Sequence, residues 1–145
     1  LDSLKFKTIG GRTVYGGGGI TPDVFVPYDT TESSFYLTEL LFSGAFQSYS
    51  FDFVANRRNY WKSPQDFCSR FVCNDNILEA FVSYANKTGG VSKNNKEFIR
   101  SKRVISTNLK AEIARQLYGE DGYYRVINTI DREVIKAHQE VRKIR

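Results

Sequence analysis

The rhythm of apolar and polar positions changes near residue 29. Before it, Lys5-Phe6-Lys7-Thr8-Ile9 alternates polar and apolar, the period of a strand. Gly10-Gly11 is a turn signal and Arg12-Thr13-Val14-Tyr15 reads as a second short strand, so the pair predicts a hairpin. Asp23-Val24-Phe25-Val26-Pro27 predicts one more strand, with Pro22 and Pro27 at its ends. Strands this short do not bury themselves. They must pack on the helices that follow or on a sheet elsewhere.

From Asp29 the spacing is helical. Asp29 to Glu32 predicts an N-cap with an acid three residues on. Leu37, Leu40, Leu41, Ala45, Phe46, Tyr49 and Phe53 form a stripe, along one helix from about 32 to 61 or two broken near Gly44. Ser63-Pro64 opens a short helix carrying Phe67, Phe71 and Val72. Asn74 or Asp75 caps a helix with Ile77, Leu78, Phe81, Val82 and Ala85 on one face, and Gly89-Gly90 closes it. Asn94 with Glu97 opens another, in which Phe98, Ile105, Leu109, Ile113 and Leu117 recur at steps of 7, 4, 4 and 4. Gly119 and Gly122 bracket a turn. Tyr123, Ile127, Ile130, Val134, Ala137, Val141 and Ile144 then alternate steps of 4 and 3, the seam of a helix packed on a neighbouring helix. The expected fold is mainly α, with short β-strands over 1–28 and at least four helices over 29–145. Leu109, Ile127, Ile130 and Val134 are expected in one core.

Composition supports a packed domain: 41% of the 145 residues are hydrophobic and 14% aromatic, enough to fill a core. The chain starts at Leu1 and has no Met, which reads as a piece of a longer protein. No run approaches about 20 apolar residues, so no membrane-spanning helix is expected. Charge is uneven. Residues 1–30 carry three bases and three acids, residues 31–90 five and six, and residues 91–145 thirteen and seven. A basic last third can bind a polyanion, but interspersed acids favour solvated helix faces instead.

Candidate chemistry is sparse. One His and two Cys remove most zinc and Cys/His arrangements. Gly16 to Gly19 precede Pro22 rather than a helix and lack a following Lys-Ser or Lys-Thr, so a phosphate loop is rejected in favour of a turn between strands. His138 is expected to be structural rather than a base. Cys68 and Cys73 are expected as two free, mostly buried thiols, with a disulfide as the alternative in an exported chain. Asp131, Arg132 and Glu133 read as surface charges or ion pairs, because helix neighbours do not share a face. Arg57, Arg58, Tyr60 and Trp61 mix basic and aromatic residues as nucleic-acid surfaces do, but Tyr60 and Trp61 are expected in the core. Asn86-Lys87-Thr88 matches a glycosylation acceptor, a triplet common by chance. Ser101-Lys102 is rejected as a catalytic dyad, since the two point about 100° apart on a helix.

The string Gly11-Arg12-Thr13-Val14-Tyr15-Gly16-Gly17-Gly18-Gly19-Ile20-Thr21-Pro22-Asp23-Val24 is the most specific in the chain. It resembles the end of the protease domain in carboxy-terminal processing, or tail-specific, proteases. Those are serine peptidases with a Ser/Lys dyad and usually a PDZ domain. The resemblance rests on Gly11, Arg12, Gly19, Ile20, Pro22 and Asp23, read as structural motif residues. The Gly-rich form and the helical tail look like family members from Bacteroidetes-type bacteria, with a looser match at Phe81, Tyr84, Ala85 and the 101–119 stretch. The resemblance implies that residues 1–28 end a serine protease domain and residues 29–145 form a helical C-terminal domain. It places the nucleophile and base upstream, so no catalytic, cofactor or metal residue is assigned here and no cofactor is expected. It further implies a periplasmic or cell-envelope location. Partners would be a polypeptide substrate, reached through the parent protease, and the rest of the protease domain. A homodimer through the N-terminal strands is also expected as an option. No nucleic acid and no membrane span are expected. Two alternatives are a helical protein-interaction module and a basic nucleic-acid-binding domain over residues 91–145.

Overall fold

The computed structural model describes residues 5–11, 13–16 and 22–143. It is mainly helical, with a two-stranded hairpin at the N-terminus. Strands β1 (Lys5–Lys7) and β2 (Thr13–Tyr15) pair antiparallel, Phe6 opposite Val14. Gly11 closes the turn, at φ 79° and with its N–H donating to Thr8 O at 2.9 Å. Such a φ suits a residue without a Cβ. Every residue of both strands is exposed. The third strand expected over 23–27 does not form. Asp23 and Val24 bend, and the chain continues to residue 30 without regular structure. A strand needs a hydrogen-bonding neighbour, and the prolines at 22 and 27 each remove a donor. We call residues 22–33 the strap.

Helix α1 (Phe35–Phe42) starts six residues beyond the expected Asp29 cap. The Asp29 carboxylate instead accepts from the N–H and the hydroxyl of Thr31. Ser34 is the true N-cap, its Oγ accepting from Leu37 N at 3.1 Å. Glu97 Oε2 accepts a second orphan donor, Tyr36 N, at 2.7 Å. Gly44, at φ 73°, separates α1 from α2 (Ala45–Val54), and the chain is in turns by residue 57 rather than helical to 61. Helix α3 (Pro64–Arg70) begins at the Ser63 cap with Pro64 in its first turn. It ends before Val72, which is exposed. Asn74 caps α4 (Asp75–Gly89), and left-handed Gly90 closes it. Asn94 caps α5 (Asn95–Ile127).

Within α5 the backbone breaks at Gly119, at φ 67° and ψ −154°. Beyond it the chain comes close to the preceding turns. A Cβ on Gly122 would sit 2.5 Å from the Ala114 carbonyl oxygen. Turns over 128–130 lead to α6 (Arg132–Lys143). Asp131 caps α6, accepting from Val134 N at 3.0 Å.

The core gathers on α5. Phe98, Ile105, Leu109 and Ile113 are buried together with Leu40 of α1, Phe46 and Val54 of α2, Phe67 of α3 and Leu78, Phe81 and Ala85 of α4. Rings interlock there, Phe46 on Phe81 at 4.6 Å and Phe67 on Phe71 at 4.8 Å between centroids. The expected terminal seam does not join this core as one piece. Leu109 is buried, Ile127 is half-buried against the core, and Ile130 is half-buried at a cleft. Val134 is 40% exposed, Ala137 and Val141 are exposed, and no residue of α6 is buried. The turns at 128–130 reset the helical phase, so a repeat continuous in sequence is not continuous in space. Ile144 lies outside the described residues.

Candidate docking site: hairpin, strap and cleft

The six motif residues fall at the N-terminal edge of the molecule. Gly11 is in the hairpin turn and Pro22 and Asp23 open the strap, all three exposed. Arg12, Gly19 and Ile20 lie outside the described residues, as does the Gly17 to Gly19 stretch. The strap is tied to the bundle at residues 29–34. Asp29 pairs with Arg132 Nη1 at 2.9 Å. Arg103 Nε reaches both Glu32 carboxylate oxygens, at 2.9 and 3.0 Å. Arg100 Nε donates to Thr31 O at 2.9 Å. The buried Ser101 hydroxyl donates to Glu32 O at 2.7 Å and lies 2.7 Å from Ser34 Oγ. The hydrogen bonds from Thr31 hold the Asp29 carboxyl below its usual range, with Arg132 adding to the effect. The Arg103 hydrogen bond does the same for Glu32.

Between the strap, α1 and the start of α6 lies a cleft of about 460 Å³. Leu37, Leu41, Val104 and Ile130 give it apolar walls, and Val26 to Asp29 and Asp131 to Glu133 form its rims. Both arginines at the cleft are already bonded to carboxylates, Arg103 to Glu32 and Arg132 to Asp29.

The other sequence candidates disperse. Ser101 is engaged as above, and Lys102 pairs with Asp75 at 2.8 Å. His138 is exposed on α6. Cys68 and Cys73 are free and half-buried, and burial pushes the Cys73 thiol up to about 11. Trp61 packs edge-on against Phe67 at 5.0 Å, while Tyr60, expected beside it in the core, is exposed. Arg57 caps the Phe53 carbonyl at 2.7 Å and lies over the Phe53 ring. Asn86 is exposed near the end of α4. Asp131, Arg132 and Glu133 are exposed and Arg132 is ion-paired, as expected, and Asp131 in addition caps α6. Among the described residues no cluster of three His, Cys, Asp or Glu can hold a metal ion, and no helix is long and apolar enough to cross a membrane.

Sequence reasoning placed Glu97 in the first turn of α5, where it lies, but did not find its bond to Tyr36 N, nor Ser34, Lys110 or the Asp29–Arg132 tie. Ser34 carried a signal, a Ser preceding an apolar run. Lys110 Nζ donates to Cys68 O and Phe71 O at 2.7 Å each, capping the end of α3 from forty residues away. Nothing in local spacing announces such a bond.

Residues 36–119 match the model of a family of unknown function, DUF8443. The chain belongs to that family. No curated protein and no solved structure matches it. The DUF8443 match begins on the second residue of α1 and ends at the Gly119 break. It therefore covers every buried hydrophobic residue of the core except Val126, and stops short of the hairpin, the strap and α6.

Proposed function

We propose that this chain is the C-terminal, non-catalytic part of a serine endopeptidase of the carboxy-terminal processing type. Its parent would cleave exported polypeptides near their C-termini in the periplasm or cell envelope. The carrying observation is the Gly11–Val24 string. The exposed hairpin supports the reading, because two three-residue strands with neither face covered are incomplete as a sheet. On this reading the parent's Ser attacks the scissile carbonyl, and a buried Lys, with its pKa lowered, accepts the Ser proton. Neither residue belongs to this chain. The helical unit scaffolds the protease, the strap joining one to the other.

The basic last third favours this reading over nucleic-acid binding. Lys93, Lys102, Arg103, Arg115, Arg125, Arg132, Lys136 and Lys143 all pair with carboxylates of the same chain. A backbone-tracking groove needs such cations unengaged.

A serine-reactive covalent probe on the full gene product tests the reading. It should label one Ser upstream of Leu1, and labelling should vanish when a Lys some 25 residues later is changed to Ala. The 145-residue chain alone should neither label nor hydrolyse unstructured peptides. A full gene product without a reactive Ser, or turnover by this chain that a Ser substitution within it abolishes, would sink the proposal.

A further inference from the structure

Helix α1 carries six apolar residues in eight, Phe35, Tyr36, Leu37, Leu40, Leu41 and Phe42. A helix apolar on nearly all sides belongs in an interior. Only Tyr36, Leu37 and Leu40 are buried by the bundle, and Phe42 is 87% exposed. Leu41, half-exposed, faces the cleft under the strap. At the rim, Tyr28 of the strap is 89% exposed, and beside the cleft Phe25, 81% exposed, lines a neighbouring hollow with Arg132 and Ile135 of α6. The cleft's two arginines are neutralised by Glu32 and Asp29 and Asp131 caps α6, so what remains unmet there is the apolar wall and, at the rim, the Glu133 carboxylate. An anionic ligand finds no unengaged guanidinium.

The chain itself limits what can lie close by. Gly16 leaves the hairpin and Pro22 enters the strap, six Cα steps later, which span at most roughly 20 Å. Two strands of three residues are not stable alone. Whatever sheet completes the hairpin therefore sits within that reach of the strap. A linker this short holds it there at an effective concentration on the order of millimolar, so a modest apolar contact is enough for docking.

We propose that the cleft between the strap, α1 and the start of α6 seats the β-sheet domain that the hairpin completes, and that apolar side chains of that domain cover Leu41, Phe25 and Tyr28. The inference rests on reading the hairpin as the end of such a sheet, and it adds where that sheet docks.

Hydrogen exchange compares the full gene product with the 145-residue chain. Amides of Val24, Phe25, Val26 and Tyr28 lie outside helices and strands here, and should exchange at least roughly tenfold more slowly in the full product. In the full product, Leu41→Glu should return them to the rate of the short chain while α4 and α5 stay protected. Tyr28→Ser, at an exposed position, is the second variant and should weaken the same protection without risk to the core. Equal exchange in the two proteins overturns the docking site, and so does protection that survives both substitutions. Protection already present in the short chain and rising with its concentration also overturns it, because the occupant is then a second copy. A full product that shows the protection but no reactive Ser refutes the peptidase reading and leaves the docking site standing.

Discussion

Glu112 lies midway along α5 with only 5% of its surface exposed. Its Oε1 accepts from Arg115 Nη1 at 2.7 Å, while Oε2 is buried without a hydrogen-bond partner. Arg115 is shared, stacking 3.6 Å over the Tyr123 ring and pairing with Glu120 at 3.0 Å. Burial raises the Glu112 pKa, and Arg115 opposes that only in part. The folded state therefore holds this proton more tightly than the unfolded chain does. Its contribution to stability is complete below the ordinary carboxylate pKa and is lost as pH rises through the raised value. Glu112→Gln should flatten the fall of the urea midpoint above about pH 4.5, near the ordinary glutamate pKa. An unchanged pH profile would show that Glu112 titrates as a solvated acid. Lys110 is a second tie at this scale. Lys110→Met keeps the aliphatic stem but strips two hydrogen bonds from the end of α3. It should cost about 1–3 kcal/mol, read as a lower midpoint at constant slope.

Elements start and stop where short-range chemistry says they must. Gly119 holds a backbone conformation that is essentially glycine's alone, and it sets the reversal that brings Gly122 onto the Ala114 carbonyl. Gly119→Ala should cost about 1–3 kcal/mol by thermal or urea unfolding, although open space surrounds the position. The core lies along the first part of α5 and not along α6. Ile105→Ala should therefore cost about 2–5 kcal/mol, whereas Val134→Ala should stay within about 0.5 kcal/mol. Equal losses at the two positions would put α6 back into the core. Asn74, Asn94, Ser63-Pro64, Gly44 and Gly90 were legible because a cap or break depends on residues within four positions. The Asp29 to Glu32 cap misread for the complementary reason. Arg103 and Arg132, distant in sequence, engage both acids and leave Ser34 to cap α1. The α6 seam was legible as amphipathic, but an apolar stripe does not say whether its partner lies in the same molecule.

On the scale of the whole molecule, the chain divides into a bundle with its own core and a hairpin outside that core. The strap that connects them is anchored to the bundle by Asp29, Thr31 and Glu32. The six hydrogen-bonding residues of β1 and β2 have no further strand beside them among the described residues. Their amides are protected only by each other, and a lone hairpin of this length opens readily. Amides of Lys5 to Lys7 and Thr13 to Tyr15 should thus exchange within seconds in a dilute solution of this chain, while those of Ile105 to Ile113 persist for the lifetime of the global fold. Raising the concentration discriminates between two fates of the open edge. Protection that grows with concentration means that strands of two molecules pair, since an exposed edge with Phe6 and Val14 on one face is a template for another strand. Protection that appears only when the upstream polypeptide is present means that the hairpin belongs to that polypeptide's sheet. Strong protection in a dilute monomer of this chain would contradict both. It would mean that the bundle holds the hairpin against itself, and the division between residues 28 and 29 would then have to be abandoned.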